Sequence, residues 1–209
     1  MGRGRLSDRR WGVFGGVFDP IHYGHLAIAE QTRDALQLDK VLFIPAGQPV
    51  HKRAPDTPGL ARMRMVQLAI ADNPAFEASS IEIDAERLNY TLDTLKGLGA
   101  ERADVEFVLI VSSETAALMP TWHEPEQILD LAEVAIVSRL GHADISAEWI
   151  AKHFPGRESR FVRVETTHLG HSSTAIRARV AAGQPIRYLV PPAVEDYIRE
   201  HALYAAGDA

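Results

Sequence analysis

His22 and His25, three residues apart, are the side chains near the start of this chain that are best placed to do chemistry. They follow the pair Gly15-Gly16, where a short apolar run typical of a buried strand gives way to a helical pattern. Residues three apart on a helix share a face, so both imidazoles can project together. Gly24 between them keeps the surface low enough for a ligand to approach. A helix N-terminus with these features suits a phosphate chain.

A second segment with phosphate-binding residue types lies far along the chain. Ser172, Ser173 and Thr174 open a helix after an extended stretch, and Arg177 follows one turn later. Hydroxyls and free backbone N–H groups bind phosphate oxygens, and the arginine adds a forked cationic donor. The alternative is structural: Ser172 or Ser173 caps the helix beside an exposed arginine.

Three other segments carry weaker signals. His51 and Lys52 lie in a proline-stiffened loop that either presents positive charge to a ligand or is merely solvated. Thr91 begins a helix and has no obvious chemistry by itself. Trp122 and His123 lie in a turn after a proline, where a tryptophan belongs more often to a core than to a ligand platform. The residues alone leave each alternative open.

Apolar periodicity predicts strands alternating with helices. The predicted strands are 11–14, 40–45, 80–83, 105–111, 133–138 and 160–164, and the predicted helices are 26–38, 60–71, 91–98, 124–131, 145–153, 174–182 and 194–201. This alternation predicts an α/β fold, a Rossmann-like, doubly wound, mostly parallel sheet with helices on both faces. Ligands bind at the carboxyl ends of the strands in such sheets, which is where the loop before His22 lies.

Length and composition bound the class of protein. A chain of 209 residues suffices for one α/β domain, which we place at 11–204 after a disordered tail at 1–10. The net charge of −6 argues against a nucleic-acid partner, so any phosphate must be held by local positive charge. The absence of cysteine excludes disulfides, thiolate metal sites and a cysteine nucleophile.

The chain also lacks the features of membrane and secreted proteins. No apolar run approaches about 18 residues, and the basic N-terminus has no apolar signal region. We therefore expect no membrane partner and a cytoplasmic location. The oligomeric state, a homo-oligomer included, is left open by the sequence.

The segment 15–25, Gly-Gly-Val-Phe-Asp-Pro-Ile-His-Tyr-Gly-His, resembles nearly letter for letter the signature of the nucleotidyltransferase superfamily with the HxGH motif. The segment 171–177 resembles that superfamily's I-S-S-T-x-I-R motif, and 44–52 resembles its I-P-x-x-x-P-x-H-K segment. The glycines at 12, 15 and 16 do not fit the dinucleotide fingerprint G-x-G-x-x-G. Within the superfamily, the segments 90–95, 120–123 and 188–204 resemble the bacterial nicotinate mononucleotide adenylyltransferases, so the likeness covers about 11–204.

This resemblance implies transfer of the adenylyl group of ATP to nicotinate mononucleotide, a step of NAD biosynthesis that yields nicotinate adenine dinucleotide and pyrophosphate. The implied catalytic residues are His22, His25 and Arg177. The residues implied to bind ATP are Gly15, Gly16, Phe18, His22, His25, Ser172, Ser173, Thr174 and Arg177. Mg²⁺ is expected on the ATP phosphates, mostly water-coordinated, with no metal site built from the protein. Asp19 is accordingly expected to shape its loop rather than to bind metal.

The residues implied to bind nicotinate mononucleotide are His51, Lys52, Thr91, Glu114, Trp122 and His123. The backbone at Thr91 would bind the nicotinate carboxylate, and Trp122 would stack on the pyridine ring.

Two departures from the family pattern bear on this function. Ser112-Ser113-Glu114 replaces the usual Gly-x-Asp, and we predict that Glu114 does the work of the missing aspartate. Gly170-His171 replaces the usual residue before Ser-Ser. Two alternative functions stay open: another adenylyl- or cytidylyltransferase, for example one acting on phosphopantetheine, and a nucleotide-binding regulator with little turnover. Pyrophosphate release separates the regulator from both enzymes.

Overall fold

The protein is described by a computed structural model over residues 9–47, 57–84, 89–138, 145–167 and 169–205. The strands in these ranges are β1 Arg9–Gly16, β2 Lys40–Pro45, β3 Phe76–Ala78, β4 Val105–Ser112, β5 Ala132–Val137 and β6 Phe161–Val164. The α-helices are α1 Tyr23–Ala35, α2 Gly59–Ile70, α3 Thr91–Glu101, α4 Ser113–Leu118, α5 Pro125–Leu131, α6 Ala147–His153, α7 Ser173–Ala181 and α8 Pro192–Glu200.

The strands form one sheet in the order β3-β2-β1-β4-β5-β6, and every neighbouring pair is parallel. The order reverses between β1 and β4, because the chain builds outward from β1 to β3 and then returns to the other side of β1. Doubly wound sheets bind ligands in the crevice at this reversal, beyond the carboxyl ends of the strands. The predicted Rossmann-like fold is confirmed. The first loop, residues 17–22 between β1 and α1, lies at that crevice.

Each face of the sheet carries its own apolar core, because successive strand residues point to opposite faces. Phe14 of β1 packs on the face covered by α1, α2, α7 and α8, and its neighbour Val13 packs on the face covered by α3 to α6. The helices contribute Ala29, Val66, Ile176 and Val194 to the first core, and Leu95, Ala116, Ile128 and Ile150 to the second. Both faces of β1 are thus buried, which holds the loop after it on a rigid strand.

The predicted strand 80–83 is wrong. The third strand is Phe76–Ala78, and residues 81–83 form a turn in which the N–H of Ile83 donates to the carbonyl of Ser80 at 2.8 Å. The alternation of Ile81 and Ile83 that suggested a strand has another cause. Ile81 packs against the second core, while Ile83 lies against α2 beside Gly59.

Two further boundaries need correction. Arg9 and Arg10, which were predicted to lie in a disordered tail at 1–10, lie in β1 and pair with β4, while residues 1–8 lie outside the described residues. The helix α4, directly after β4, was not predicted, because its six residues are too few to show a helical repeat. Within the described residues, no helix combines the length and the apolar character that crossing a membrane requires.

Candidate active site

An open cavity of about 1260 Å³ lies beyond the carboxyl ends of β1, β4 and β5, between the first loop and α7. All nine residues predicted to bind ATP line it, namely Gly15, Gly16, Phe18, His22, His25, Ser172, Ser173, Thr174 and Arg177. The fold therefore brings together two motifs that are about 150 residues apart in the sequence.

The two motif histidines form a stacked pair at the start of α1. His22 is the N-cap residue and is only 6% exposed, while His25 lies three residues later in the first turn. Their ring centroids are 3.7 Å apart with an interplanar angle of 20°, and the backbone N–H of His22 donates to Nδ1 of His25 at 3.2 Å. A Cβ atom on Gly24 would lie 3.0 Å from the His22 ring, so glycine there makes room for this arrangement.

Aromatic side chains on the other side hold His25 in place. The Phe18 ring meets the His25 ring edge to face at 5.1 Å, and Phe14 contacts it at 6.2 Å. Phe18 is 2% exposed and has a φ of 50°, in the left-handed region that costs about 1–3 kcal/mol for a residue other than glycine. Phe18 therefore lines the cavity as a buried support for His25.

Helix α7 is joined to the first loop by two hydrogen bonds. The Ser173 hydroxyl donates to the carbonyl of Pro20 at 2.9 Å, and Nη1 of Arg177 donates to the carbonyl of Asp19 at 2.7 Å. The structural alternative, in which a serine caps this helix, is not what the structure shows, since the side chain of the N-cap residue, Ser172, makes no capping hydrogen bond. The start of α7 thus lines the cavity, and the Ser172 side chain leaves its first N–H groups uncapped, as an anion site requires.

The C-terminal segment also holds the first loop. The Tyr204 hydroxyl donates to Oδ1 of Asp19 at 2.6 Å, and Asp19 is 6% exposed. Burial, together with this bond to Asp19, raises the pKa of Tyr204, so its hydroxyl stays protonated as a donor. This contact supports a loop-shaping role for Asp19 and adds a function to a segment for which helix packing was predicted.

The sequence analysis missed Arg62, a buried charged residue behind the site. This side chain of α2 is 1% exposed and donates to three backbone carbonyls, those of Val17 and Ala46 at 2.7 Å and that of Thr57 at 3.2 Å. Burial lowers the pKa of Arg62, and the nearby Asp19 opposes this shift. The sequence did contain a signal for the burial of Arg62. This residue lies three and four positions before Met65 and Val66, so it shares the apolar face of α2 with them.

The same arginine holds both ends of the loop after β2. Ala46 and Thr57 flank the segment 48–56, which lies outside the described residues and contains the predicted substrate residues His51 and Lys52. Arg62 therefore links the ends of this loop to the loop that carries the HxGH motif.

Two of the segments predicted to bind the second substrate lie side by side. The Tyr90 ring, at the N-cap of α3, contacts the His123 ring at 4.7 Å, which places the start of α3 at Thr91 beside the turn at 121–123. Trp122 is half-buried against the second core. None of Thr91, Trp122 and His123 lines the cavity described above, so the structure groups them apart from the predicted ATP residues.

A half-buried glutamate, Glu82, which the sequence analysis also missed, connects this second group to the loop after β2. Glu82 accepts a hydrogen bond from the Thr94 hydroxyl of α3 at 2.8 Å and another from the backbone N–H of Gly47. Burial raises the pKa of Glu82, and these two donors partly oppose the rise. The backbones approach so closely that a Cβ on Gly47 would lie 2.1 Å from the Glu82 carbonyl oxygen.

The segment that replaces Gly-x-Asp begins α4. The Ser112 hydroxyl accepts a hydrogen bond from the backbone N–H of Thr115 at 3.2 Å, which caps the helix, and both residues line the cavity. Glu114 is exposed in the first turn of α4 and does not line the cavity. Its predicted contact with substrate thus stays a prediction.

The chain is similar to known proteins over most of its length. The sequence profile of the cytidylyltransferase-like family matches residues 13–179. A protein of Roseiflexus sp., described as a probable nicotinate-nucleotide adenylyltransferase, is 48% identical over 200 residues, covering 95% of this chain and all of the relative. A protein of Herpetosiphon aurantiacus with the same description is 42% identical with the same coverage. In structure, the chain resembles the Plasmodium falciparum nicotinic acid mononucleotide adenylyltransferase complexed with NaAD, at a TM-score of 0.76 and 21% identity over 94% of this chain and 97% of that one.

Proposed function

The chain belongs to the cytidylyltransferase-like family and to the nicotinate-nucleotide adenylyltransferases, and we propose on that basis that it transfers the adenylyl group of ATP to nicotinate mononucleotide. The products are nicotinate adenine dinucleotide and pyrophosphate. The family resemblance seen in the motifs is confirmed by these relatives.

One observation carries the assignment of the ATP site. The HxGH loop and the Ser-Ser-Thr-x-x-Arg helix start, far apart in sequence, line one cavity at the reversal of strand order. This cavity offers imidazoles, hydroxyls, helix N–H groups and one guanidinium, which are the donors that a polyphosphate needs. An arrangement of this kind supports nucleotide binding through the phosphates.

The chemistry requires no protein nucleophile. The acceptor phosphate is anionic near neutral pH, and one of its oxygens attacks the α-phosphorus of ATP while the bond to the β-phosphate breaks. Catalysis then depends on in-line positioning and on stabilisation of charge. His22 and His25 donate to the oxygens of the α-phosphate as charge builds there. Their stacked geometry, with His22 buried and His25 half-buried, holds them ready to do so.

The β- and γ-phosphates are assigned to the start of α7. Arg177 uses one N–H on the Asp19 carbonyl, and its other N–H groups have no hydrogen-bond partner among the described residues. They can therefore bind phosphate oxygens while the first bond keeps α7 attached to the HxGH loop. The described residues hold no group of three or more acidic or histidine side chains fit to bind a metal ion. We assign Mg²⁺ to the ATP phosphates and water, as part of the substrate.

The acceptor site is assigned to the group formed by Thr91, Trp122 and His123, with His51 and Lys52 of the adjoining loop. The N-terminus of α3, which the Tyr90 side chain does not cap, suits a carboxylate, and a half-buried tryptophan offers a flat face to a pyridine ring. Glu82 and Arg62 connect this group to the ATP site through the loop after β2.

The function is tested by incubating the protein with MgATP and, in turn, nicotinate mononucleotide, nicotinamide mononucleotide and phosphopantetheine, with pyrophosphate and dinucleotide measured. We expect the fastest release of pyrophosphate with nicotinate mononucleotide. Preference for phosphopantetheine would identify a different transferase of the superfamily. Tight ATP binding without pyrophosphate from any acceptor would favour the regulator.

Replacing Trp122 by alanine should raise the KM for nicotinate mononucleotide about two- to tenfold and leave ATP affinity nearly unchanged. The stacking contact is worth about 0.5–1.5 kcal/mol beyond the area it buries. Trp149→Ala is the matched control, because Trp149 is also half-buried against the second core but lies on α6. Equal damage to ATP binding, or equal effects of the two variants on KM, would assign Trp122 to the core alone.

A double variant tests whether Ser112 and Glu114 compensate for the missing glycine and aspartate. If they compensate, Glu114→Asp should lower kcat/KM for nicotinate mononucleotide, and adding Ser112→Gly should recover much of the loss, a non-additivity typical of neighbours. Ser112→Gly also removes the hydrogen bond by which Ser112 caps α4, so the recovery of activity should be incomplete. The loss of stability should be small, because a change from serine to glycine at an N-cap costs only a few tenths of a kcal/mol. Full activity of Glu114→Asp, or simple addition of the two effects, would show that Glu114 is not part of the site.

A further inference from the structure

We propose that His171 is a third imidazole of the ATP site and binds the phosphate oxygens that leave as pyrophosphate. The inference rests on the adenylyl transfer proposed above and adds a residue to it. The family pattern described for this segment begins with isoleucine, so this role does not follow from the motif.

The position of His171 places it between the two halves of the site. Its ring centroid lies 6.0 Å from that of His22 with an interplanar angle of 27°, so it extends the stacked pair into a row of three imidazoles. Along the chain it directly precedes Ser172 and the start of α7. If His22 and His25 bind the α-phosphate and α7 binds the β- and γ-phosphates, the ring lies at the junction of the α- and β-phosphates.

The hydrogen bonds of His171 leave one ring nitrogen for a ligand. Its backbone N–H donates to the carbonyl of Leu169 at 2.7 Å, and its Nδ1 atom is covered and has no hydrogen-bond partner among the described residues. A ring that carries its proton on Nε2 keeps that N–H available for a ligand. Because the side chain lines the cavity, this Nε2–H is the group that can donate to a bound anion.

The charge balance of the cavity favours the same conclusion. Among the described residues that line it, Arg177 is the only arginine or lysine, whereas ATP brings a highly charged triphosphate. During transfer, the electron pair of the breaking bond between the α-phosphorus and the bridging oxygen stays on that oxygen, which departs with pyrophosphate. A donor at the junction stabilises this developing charge, and no further reactant is needed.

The test compares ATP with AMP, which lacks the β- and γ-phosphates. We would measure binding of each nucleotide, with Mg²⁺ present, to the parent protein and to His171→Ile and His171→Gln by titration calorimetry. His171→Ile recreates the family motif and removes the donor, whereas His171→Gln keeps an N–H. The isoleucine variant should bind ATP about tenfold more weakly and AMP within about twofold of the parent, as expected for loss of a hydrogen bond to a charged group. The glutamine variant should lie closer to the parent.

Equal weakening of ATP and AMP, or no weakening of either, would overturn the proposal. Unfolding curves of the three proteins control for stability, and His171→Ala, which also removes the donor, replaces the isoleucine variant if that variant does not fold. Binding requires no turnover, so the difference in affinity between ATP and AMP is measured independently of the assay with acceptors. A parent protein that binds ATP but releases no pyrophosphate would contradict the proposed function while leaving this contrast measurable. A parent that does not bind ATP would contradict both.

Discussion

Replacing His25 by alanine should lower the turnover of ATP with nicotinate mononucleotide by about 10²–10³, the usual cost of removing one donor to charge that develops in the transition state. Nucleotide affinity should fall much less, because the ground-state triphosphate keeps Arg177 and the start of α7. The imidazole is held by the edge of Phe18 at 5.1 Å and by the N–H of His22, so it needs no reorganisation on reaction. The measurement is single-turnover pyrophosphate release beside a binding titration with ATP.

The control for this variant is His153→Ala. His153 also stacks on an aromatic ring, that of Trp149 at 4.1 Å, but it lies in the last turn of α6 and does not line the cavity. The His153→Ala variant should leave the turnover of ATP unchanged. A loss below about threefold in a folded His25→Ala protein would contradict the catalytic role given to this residue, and His22→Ala serves as the second variant of the pair.

Replacing Arg62 by methionine should lower the free energy of unfolding by about 3–5 kcal/mol, a large share of the stability of a typical domain. The change leaves three backbone carbonyls, those of Val17, Ala46 and Thr57, without their buried donor. It also removes a positive charge that interacts with the buried Asp19. Arg62→Lys keeps the charge but cannot span three acceptors, so it should recover only part of the loss.

Urea unfolding measures this effect, with Arg64→Met as the matched control. Arg64 lies two residues further along α2 and is exposed, so its replacement should change stability by no more than about 0.5 kcal/mol. Similar stabilities of the two methionine variants would show that the Arg62 hydrogen bonds contribute little. In a folded Arg62→Lys protein, we expect the KM values of both substrates to rise, since this side chain holds both loops.

The order of strands and helices could be predicted because apolar periodicity is a local property. The run 40–45 was predicted as a strand and is β2, Lys40–Pro45, to the residue. The prediction of a strand at 80–83 was wrong because it also relied on local periodicity alone. Ile81 and Ile83 alternate there in a turn, and the two side chains pack against different elements. Alternation reports which side chains are buried, and only the fold decides whether they are buried in a sheet.

The sequence by itself determined the family and the fold class and predicted the ATP-binding residues, because each motif is a short segment in which residue types are read directly. It also located His171 as a departure from the motif. Only the tertiary structure decided how Arg62, Asp19 and Tyr204 hold the first loop and that His171 meets His22. In most of these contacts the acceptor is a backbone carbonyl. Because every residue carries a carbonyl, the residue types do not reveal which one accepts the hydrogen bond. Where two distant segments meet is set by the packing of helices on the sheet.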